Sequence, residues 1–305
     1  MALLDQILHF DNLKAAWTEV SKSGGAAGID RVTITRWQRR WEERLVNLRQ
    51  SVKRGKYQPQ KPRLVFIPKA DGSFREISIL TVTDRVLQRA VLRVIDDIFD
   101  RTFLDCSYGF RAGRGVRDAV KTILALRDSG FTWVLDADID NCFESLSHQF
   151  ILNSFAETIQ EPALLRLIEL WLEMGQTHRK DKMGILMGGV ISPLLCNVIL
   201  NRFDFCMVEQ GYHLVRYADD FCVFCSSAQQ LCRTLAQVEE SLNKLNLRLE
   251  PRKTHKSSFE TGFQFLGVRF QKDSYRFNCQ EKIIVVQGEF DDWLFYDYVP
   301  EGYGF

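Results

Sequence analysis

Residues 213–225 read HLVRYADDFCVFC, two short apolar runs meeting at a pair of adjacent acids, Asp219 and Asp220. Apolar residues on both sides of a polar centre are the pattern of a tight antiparallel hairpin, with the acids at its tip. A second apolar run, FTWVLDADI at 131–139, reads as a buried strand and also ends in carboxylates, Asp138 among them. An acid in such a place is costly unless a partner charge or a bound cation compensates it. Asp138 and Asp219 lie 81 residues apart (219 − 138), so adjacent antiparallel strands must bring them together. A lone pair of acids is ordinarily a turn; the segments around this one argue otherwise.

Three converging carboxylates suit phosphoryl transfer from a nucleotide. Two hard cations about 3.5–4 Å apart activate the attacking hydroxyl and steady the leaving oxygen, and carboxylates bridge them. Further out, residues 3–20 and 34–54 read as amphipathic helices separated by the glycine-rich SKSGGAAGID. RLVFIPKADGSFREISI (63–79) reads as two short strands around a DG turn, which places Lys69 and Arg75 on a hairpin. Helical periodicity recurs at 83–99, 115–128, 149–175 and 228–245. ISPLLCNVILNRFDFCMVEQ is a further helix, opening at Ser192–Pro193. Strands are expected near 247–250 and 263–270. Helices and hairpins in irregular order point to an α+β fold, not a parallel βαβ sheet.

With 305 residues, 46% of them hydrophobic, the chain can bury a substantial core in two or three subdomains. No run approaches the roughly 20 apolar residues that span a bilayer, and MALLDQILHFDNLK lacks the pattern of a signal peptide. A cytoplasmic location is expected, with the eight cysteines kept as thiols. Cys222 and Cys225 form a CxxC without a second pair; on a strand they face opposite sides, as buried thiols. The net charge of +1 hides a polarity. Residues 31–69 hold twelve Lys or Arg against Glu42 and Glu43, whereas residues 281–305 hold six acids against Lys282. The basic segment reads either as a groove that tracks a phosphate backbone or as a solvated helix face.

Tyr217-Ala218-Asp219-Asp220 resembles the YxDD box of reverse transcriptases, and the order of motifs is similar to that of the bacterial group II intron-like branch. NLKAAWTEVSKSGGAAGID (12–30) resembles its N-terminal motif, IPKADGSFREISI (67–79) its fingers hairpin, and YGFRAGRG (108–115) its YGFRPGRS box. DADIDNCFESLSH (136–148) is similar to motif A, GGVISPLLCNVIL (188–200) to motif B, LRLEPRKT (247–254) to motif D and FQFLG (263–267) to the primer grip. The resemblance implies a right-hand polymerase: a helical extension over 1–60, fingers over 61–130 and a palm over 131–258 that includes a fingers segment at about 150–190. Primer-grip strands over 259–280 and an acidic aromatic tail over 281–305 complete it, with the thumb reduced or absent.

By the same resemblance Asp138, Asp219, Asp220 and the backbone carbonyl of Ile139 would hold two Mg2+ ions, with Mn2+ as a substitute. Lys69 and Arg75 would close over the triphosphate, where cations neutralise charge that grows in the transition state. Phe143 stands at the steric gate, which excludes a 2′-hydroxyl, or is a core aromatic. Lys253 would pass a proton to the leaving pyrophosphate or serve as a phosphate contact. Arg111 and Arg114 contact template or order the fingers, and Gly267 belongs to the primer grip. The implied activity is RNA-directed DNA synthesis from dNTPs, an RNA template and a DNA or RNA primer. Its implied setting is CRISPR spacer acquisition with Cas1 and Cas2, or another protein supplying the thumb. A phage-defence enzyme with an unusual template or primer and a non-catalytic nucleic-acid-binding subunit are the alternatives.

Two features depart from the branch. Met187 stands where the family carries a Gln that supports the incoming nucleotide, and a thioether cannot make the amide's hydrogen bonds. After the primer-grip motif too few residues are expected to form a thumb and maturase domain. EFDDWLFYDYVPEGYGF, at 289–305, either packs on the basic N-terminal region, enters the nucleic-acid channel or docks a partner.

Overall fold

The computed structural model describes residues 2–68, 72, 74–175, 182–279 and 282–288; Lys69 and the acidic aromatic segment from 289 lie outside the described residues. The chain opens with α1 (Leu3–Ile7), α2 (Phe10–Ser23), α3 (Ile34–Gln38) and α4 (Trp41–Lys53). A hairpin of β1 (Arg63–Pro68) and β2 (Phe74–Ile79) leads into α5 (Val82–Asp100). Next come α6 (Val116–Asp128), β3 (Trp133–Ala137), the single turn α7 (Cys142–Ser145), α8 (His148–Thr158), α9 (Pro162–Met174) and α10 (Ser192–Glu209). The hairpin β4 (His213–Tyr217) and β5 (Asp220–Cys225) precedes α11 (Ala228–Asn243). A 3-10 turn, Pro251–Lys253, leads to β6 (His255–Ser258) and then β7 (Phe263–Phe265), β8 (Val268–Gln271), β9 (Ser274–Cys279) and β10 (Lys282–Gln287). The chain divides into two compact units, Met1–Thr102 with Phe143–Ile199, and Phe103–Cys142 with Leu200–Phe305.

The first unit is mainly helical. α5 buries Val82, Val86, Leu87, Ala90, Val91, Ile95 and Phe99, steps of three and four that put them on one stripe. α2 packs along it. Thr81 caps α5 by accepting from the Asp84 N–H. The helix expected over 3–20 is two helices. The chain turns at Leu8–His9, where the Asn12 side-chain amide donates to the carbonyls of Ile7 and Ala90, both at 2.9 Å. The first N–H groups of α1 donate to the Glu161 carboxylate at 2.8 and 3.0 Å, a cap supplied from far along the chain. The helix expected over 34–54 is likewise split. Trp37 is buried against Trp17, with ring centroids 4.3 Å apart, and its indole N–H donates to the Thr83 hydroxyl at 3.0 Å. In both cases tertiary contacts override a continuous helical pattern.

The second unit holds two antiparallel sheets. The first has the order β4-β5-β3-β6, with α11 packed on β3 and β5, and α6 on β4. Phe221 to Cys225 on β5 are fully buried, which is why that run is apolar without alternation. Cys222 and Cys225 are free, buried thiols that meet different partners, Asp136 and Thr234. The second sheet is a meander, β7-β8-β9-β10. An aromatic cluster fills its core: Phe263 stacks on Phe270 at 5.0 Å and meets Phe259 edge-on at 5.1 Å. The strand expected near 247–250 reduces to one bridge, Leu249 with Ile139. The architecture is α+β, and among the described residues no helix is long and apolar enough to cross a membrane.

Candidate active site

The second unit places the three predicted acids on neighbouring strands, as their sequence positions require. In the β4–β5 hairpin Tyr217 pairs with Asp220, so Ala218 and Asp219 form the two-residue tip. β3 lies beside β5, with Ala137 opposite Phe221, and Asp138 follows at the end of β3. Its carbonyl accepts from the Glu250 N–H at 2.9 Å, and the Asp140 N–H donates to Arg248 O at 2.9 Å. The 248–250 segment thereby holds the end of β3 and sets Lys253 beside Asp138. The Lys253 ammonium donates to Asp138 Oδ2. Asp138 Oδ1 is buried and has no hydrogen-bond partner.

Electrostatics in this cluster follow from burial and like charge. Burial, then the charges of Asp220 and Asp138, push Asp219 up to about 7. Burial pulls the Lys253 ammonium down, but the hydrogen bond and charge of Asp138, with Asp220 and Asp219, outweigh it and hold it above its ordinary value. The cluster is therefore short of positive charge, and an orphaned carboxylate oxygen marks where more would bind. Among the described residues no group of three or more His, Cys, Asp or Glu is arranged to hold a metal ion by itself. A hard cation such as Mg2+ keeps waters and substrate phosphates in its shell and needs only one or two carboxylates from the protein. On this donor set, the residues fit a divalent cation.

Asp136 is the acid that the sequence reading missed. It lies two residues before Asp138, and strand periodicity puts both on one face. Burial and then Asp220 raise its pKa to about 7, and the Cys222 thiol donates to it at 3.7 Å. Asp136, Asp138, Asp220 and Lys253 line a groove of about 630 Å3 together with Phe265, Leu266 and Gly267 of the β7–β8 turn. Gly267 is thus brought to the acids.

Arg75, Phe143 and Met187 belong to the first unit. Arg75 is exposed on β2, where it pairs with Ile67 of β1. Met187 is half-buried, and its carbonyl accepts from the Ser78 N–H of β2 at 2.8 Å. Gly188 follows with φ +97, and a Cβ there would come 2.7 Å from Ser78 O; only glycine fits so close. Half-buried Phe143 accepts from the Ile185 N–H at 2.8 Å through its carbonyl. Arg111 is 7% exposed and its guanidinium donates to the carbonyls of Leu104 and Ser107. Arg114 is paired with Asp105 at 2.5 Å.

Comparison with known proteins supplies the class. Residues 67–270 match the family model "Reverse transcriptase (RNA-dependent DNA polymerase)", and the chain belongs to that family. Protein YkfC of Escherichia coli (strain K12) is 29% identical over 312 residues, covering 88% of this chain and 82% of that protein. The group II intron-encoded protein LtrA of Lactococcus lactis subsp. cremoris is 33% identical over 168 residues, 53% of this chain but only 28% of LtrA. Among solved structures, telomerase from Candida albicans in complex with a TWJ fragment of telomeric RNA aligns with TM-score 0.55 and 13% identity, over 83% of this chain and 51% of that one. That likeness is one of fold.

Proposed function

We propose that this chain extends a primer 3′-hydroxyl with dNTPs on an RNA template, with Asp138, Asp219 and Asp220 holding the catalytic cations. The observation that carries the reading is the buried, unpartnered Asp138 Oδ1 in a cluster where Asp219 is raised to about 7. When bound, two divalent cations lower the pKa of the attacking hydroxyl and balance charge on the leaving pyrophosphate. The protein's share is to fix the acids on two paired strands before substrate arrives, so that little reorganisation is needed at the moment of reaction. Lys253, whose ammonium is held above its ordinary value beside Asp138, would give a proton to the leaving group. Arg75 is assigned to the triphosphate and Phe143 to exclusion of the 2′-hydroxyl. Spacer capture beside Cas1 and Cas2 rests on the sequence resemblance alone.

Primer extension on an RNA template, with dNTPs or rNTPs and Mg2+ or Mn2+, tests the reading. Incorporation of dNTPs over rNTPs is expected, with the preference eroded in Phe143→Ala. Wild-type protein that incorporates nothing in either metal, or activity that survives Asp138→Ala, overturns it.

A further inference from the structure

Behind the Asp219–Asp220 tip lies a charged pair that no part of the chemistry above uses. Arg216 of β4 and Asp204 of α10 are both fully buried. Two parallel bonds join them, Nε to Oδ1 at 2.7 Å and Nη2 to Oδ2 at 2.5 Å. The third nitrogen, Nη1, donates to the carbonyl of Ala218 at 2.9 Å. That carbonyl belongs to the peptide plane shared with Asp219, so fixing it sets the direction in which the Asp219 Cα–Cβ bond leaves the turn.

The turn needs such support. Ala218 has φ +58, the left-handed region in which a residue with a Cβ is strained and persists only where its surroundings over-determine it. The backbone supplies a second constraint. Arg216 N–H donates to Cys106 O at 2.8 Å, and its carbonyl accepts from the Tyr108 N–H at 2.9 Å. Gly109 then presses on the tip so closely that a Cβ would come 2.5 Å from Ala218 N. A buried ion pair is a poor device for stability, because desolvating both charges offsets their attraction and apolar residues of similar size often serve as well. The planar fork of an arginine does what those residues cannot: it holds a carboxylate at two points and still aims a third donor.

We infer that Asp204 and Arg216 are positioning residues for the reaction, a clamp that holds the Ala218–Asp219 peptide so that Asp219 is pre-aimed at the catalytic cation. The inference rests on the polymerase reading for its consequence in turnover, and on geometry alone for its consequence in metal binding. The decisive variant is the double substitution Asp204→Leu with Arg216→Met, which removes both charges at similar volume. Arg216→Lys is the second arm; it keeps the charge and leaves the Ala218 carbonyl without its donor.

Each folded variant, checked by circular dichroism and thermal melting, is expected to lose at least tenfold in kcat with KM for dNTP changed less than threefold. Titration of Mn2+ alone, followed by the loss of its free-ion electron paramagnetic resonance signal, is expected to show affinity weakened several-fold. A folded variant of either kind with wild-type kcat and wild-type Mn2+ affinity overturns the inference. If wild type proves inactive but binds Mn2+ more tightly than the variants, the polymerase reading falls and the clamp stands.

Discussion

The β4–β5 hairpin and the β1–β2 hairpin both carry predicted site residues, and they are built in opposite ways. Strand β5 is buried almost throughout, flanked on both edges by strands, and its tip is held by Arg216 and by Gly109. In β1–β2, Leu64, Phe66 and Phe74 are 47%, 59% and 64% exposed, and the two strands form a sheet of their own. Two strands without a hydrophobic face to cover are marginal by themselves. On the proposed reading, the acids that hold the cations sit where several contacts fix the backbone. Arg75, proposed to meet the triphosphate, sits instead on an exposed two-stranded element.

The largest effect that this contrast predicts is at the buried tip. Asp219→Asn is expected to lower kcat at least 10^3-fold, about 4 kcal/mol of transition-state stabilisation, in primer extension at saturating Mg2+. Its effect on stability has the opposite sign. Without metal, folded Asp219 keeps its proton up to about pH 7, whereas the unfolded carboxyl loses it near pH 4. The folded state binds more protons between those values, so its stability falls as pH rises from about 4 to 7 and then levels. A tenfold difference in proton affinity between the two states is worth about 1.4 kcal/mol, and Asp219→Asn removes the slope that results. Chelated protein melted across this range gives the comparison. A difference between wild type and the Asp219→Asn variant that is flat, or that rises with pH, sinks the assignment of a raised pKa to this acid. Asp136 carries a slope of the same sign through its own raised pKa.

At the exposed hairpin the expectation changes in kind. Arg75→Ala is expected to raise KM for dNTP about tenfold, near 1.4 kcal/mol, while melting temperature and metal-only Mn2+ binding stay as in wild type. Surface substitutions of this sort rarely move stability by more than about 0.5 kcal/mol. Steady-state kinetics beside a Mn2+ titration would show it, and weakened metal binding in Arg75→Ala would erase the division of labour between the two hairpins.

Much of the buried region was legible in the sequence, and the reasons are local. The hairpin expected in 213–225 occupies 213–217 and 220–225, and the strand expected over 131–139 occupies 133–137, because fully buried strands write uninterrupted apolar runs. Asp136 was within reach of the same logic, two residues from Asp138 on the same strand face. What sequence could not show is long-range. Nothing local ties Arg216 to Asp204 on another element, or Glu161 to the N–H groups of α1. The breaks at Leu8–His9 and at Arg39–Arg40 carry neither Gly nor Pro, and the contacts of Asn12 and Trp37 that shape them come from α5 and its approach. The burial of Arg111 likewise depends on the carbonyls of Leu104 and Ser107, which only the fold brings to its guanidinium.

The smallest effect concerns Met187, where the backbone is held independently of the side chain. The Met187 carbonyl is fixed by the Ser78 N–H, and Gly188 packs on the same strand, so Met187→Gln leaves the main chain in place and exchanges a thioether for an amide of similar length. The amide brings one acceptor and two donors, and a net hydrogen bond contributes about 1 kcal/mol. Met187→Gln is therefore expected to lower KM for dNTP by up to about fivefold and to change misincorporation, with melting temperature unmoved. Position 187 would then share substrate binding with the exposed hairpin to which its backbone is bonded. Unchanged KM and fidelity would leave Arg75 without that neighbour and confine nucleotide selection to other residues.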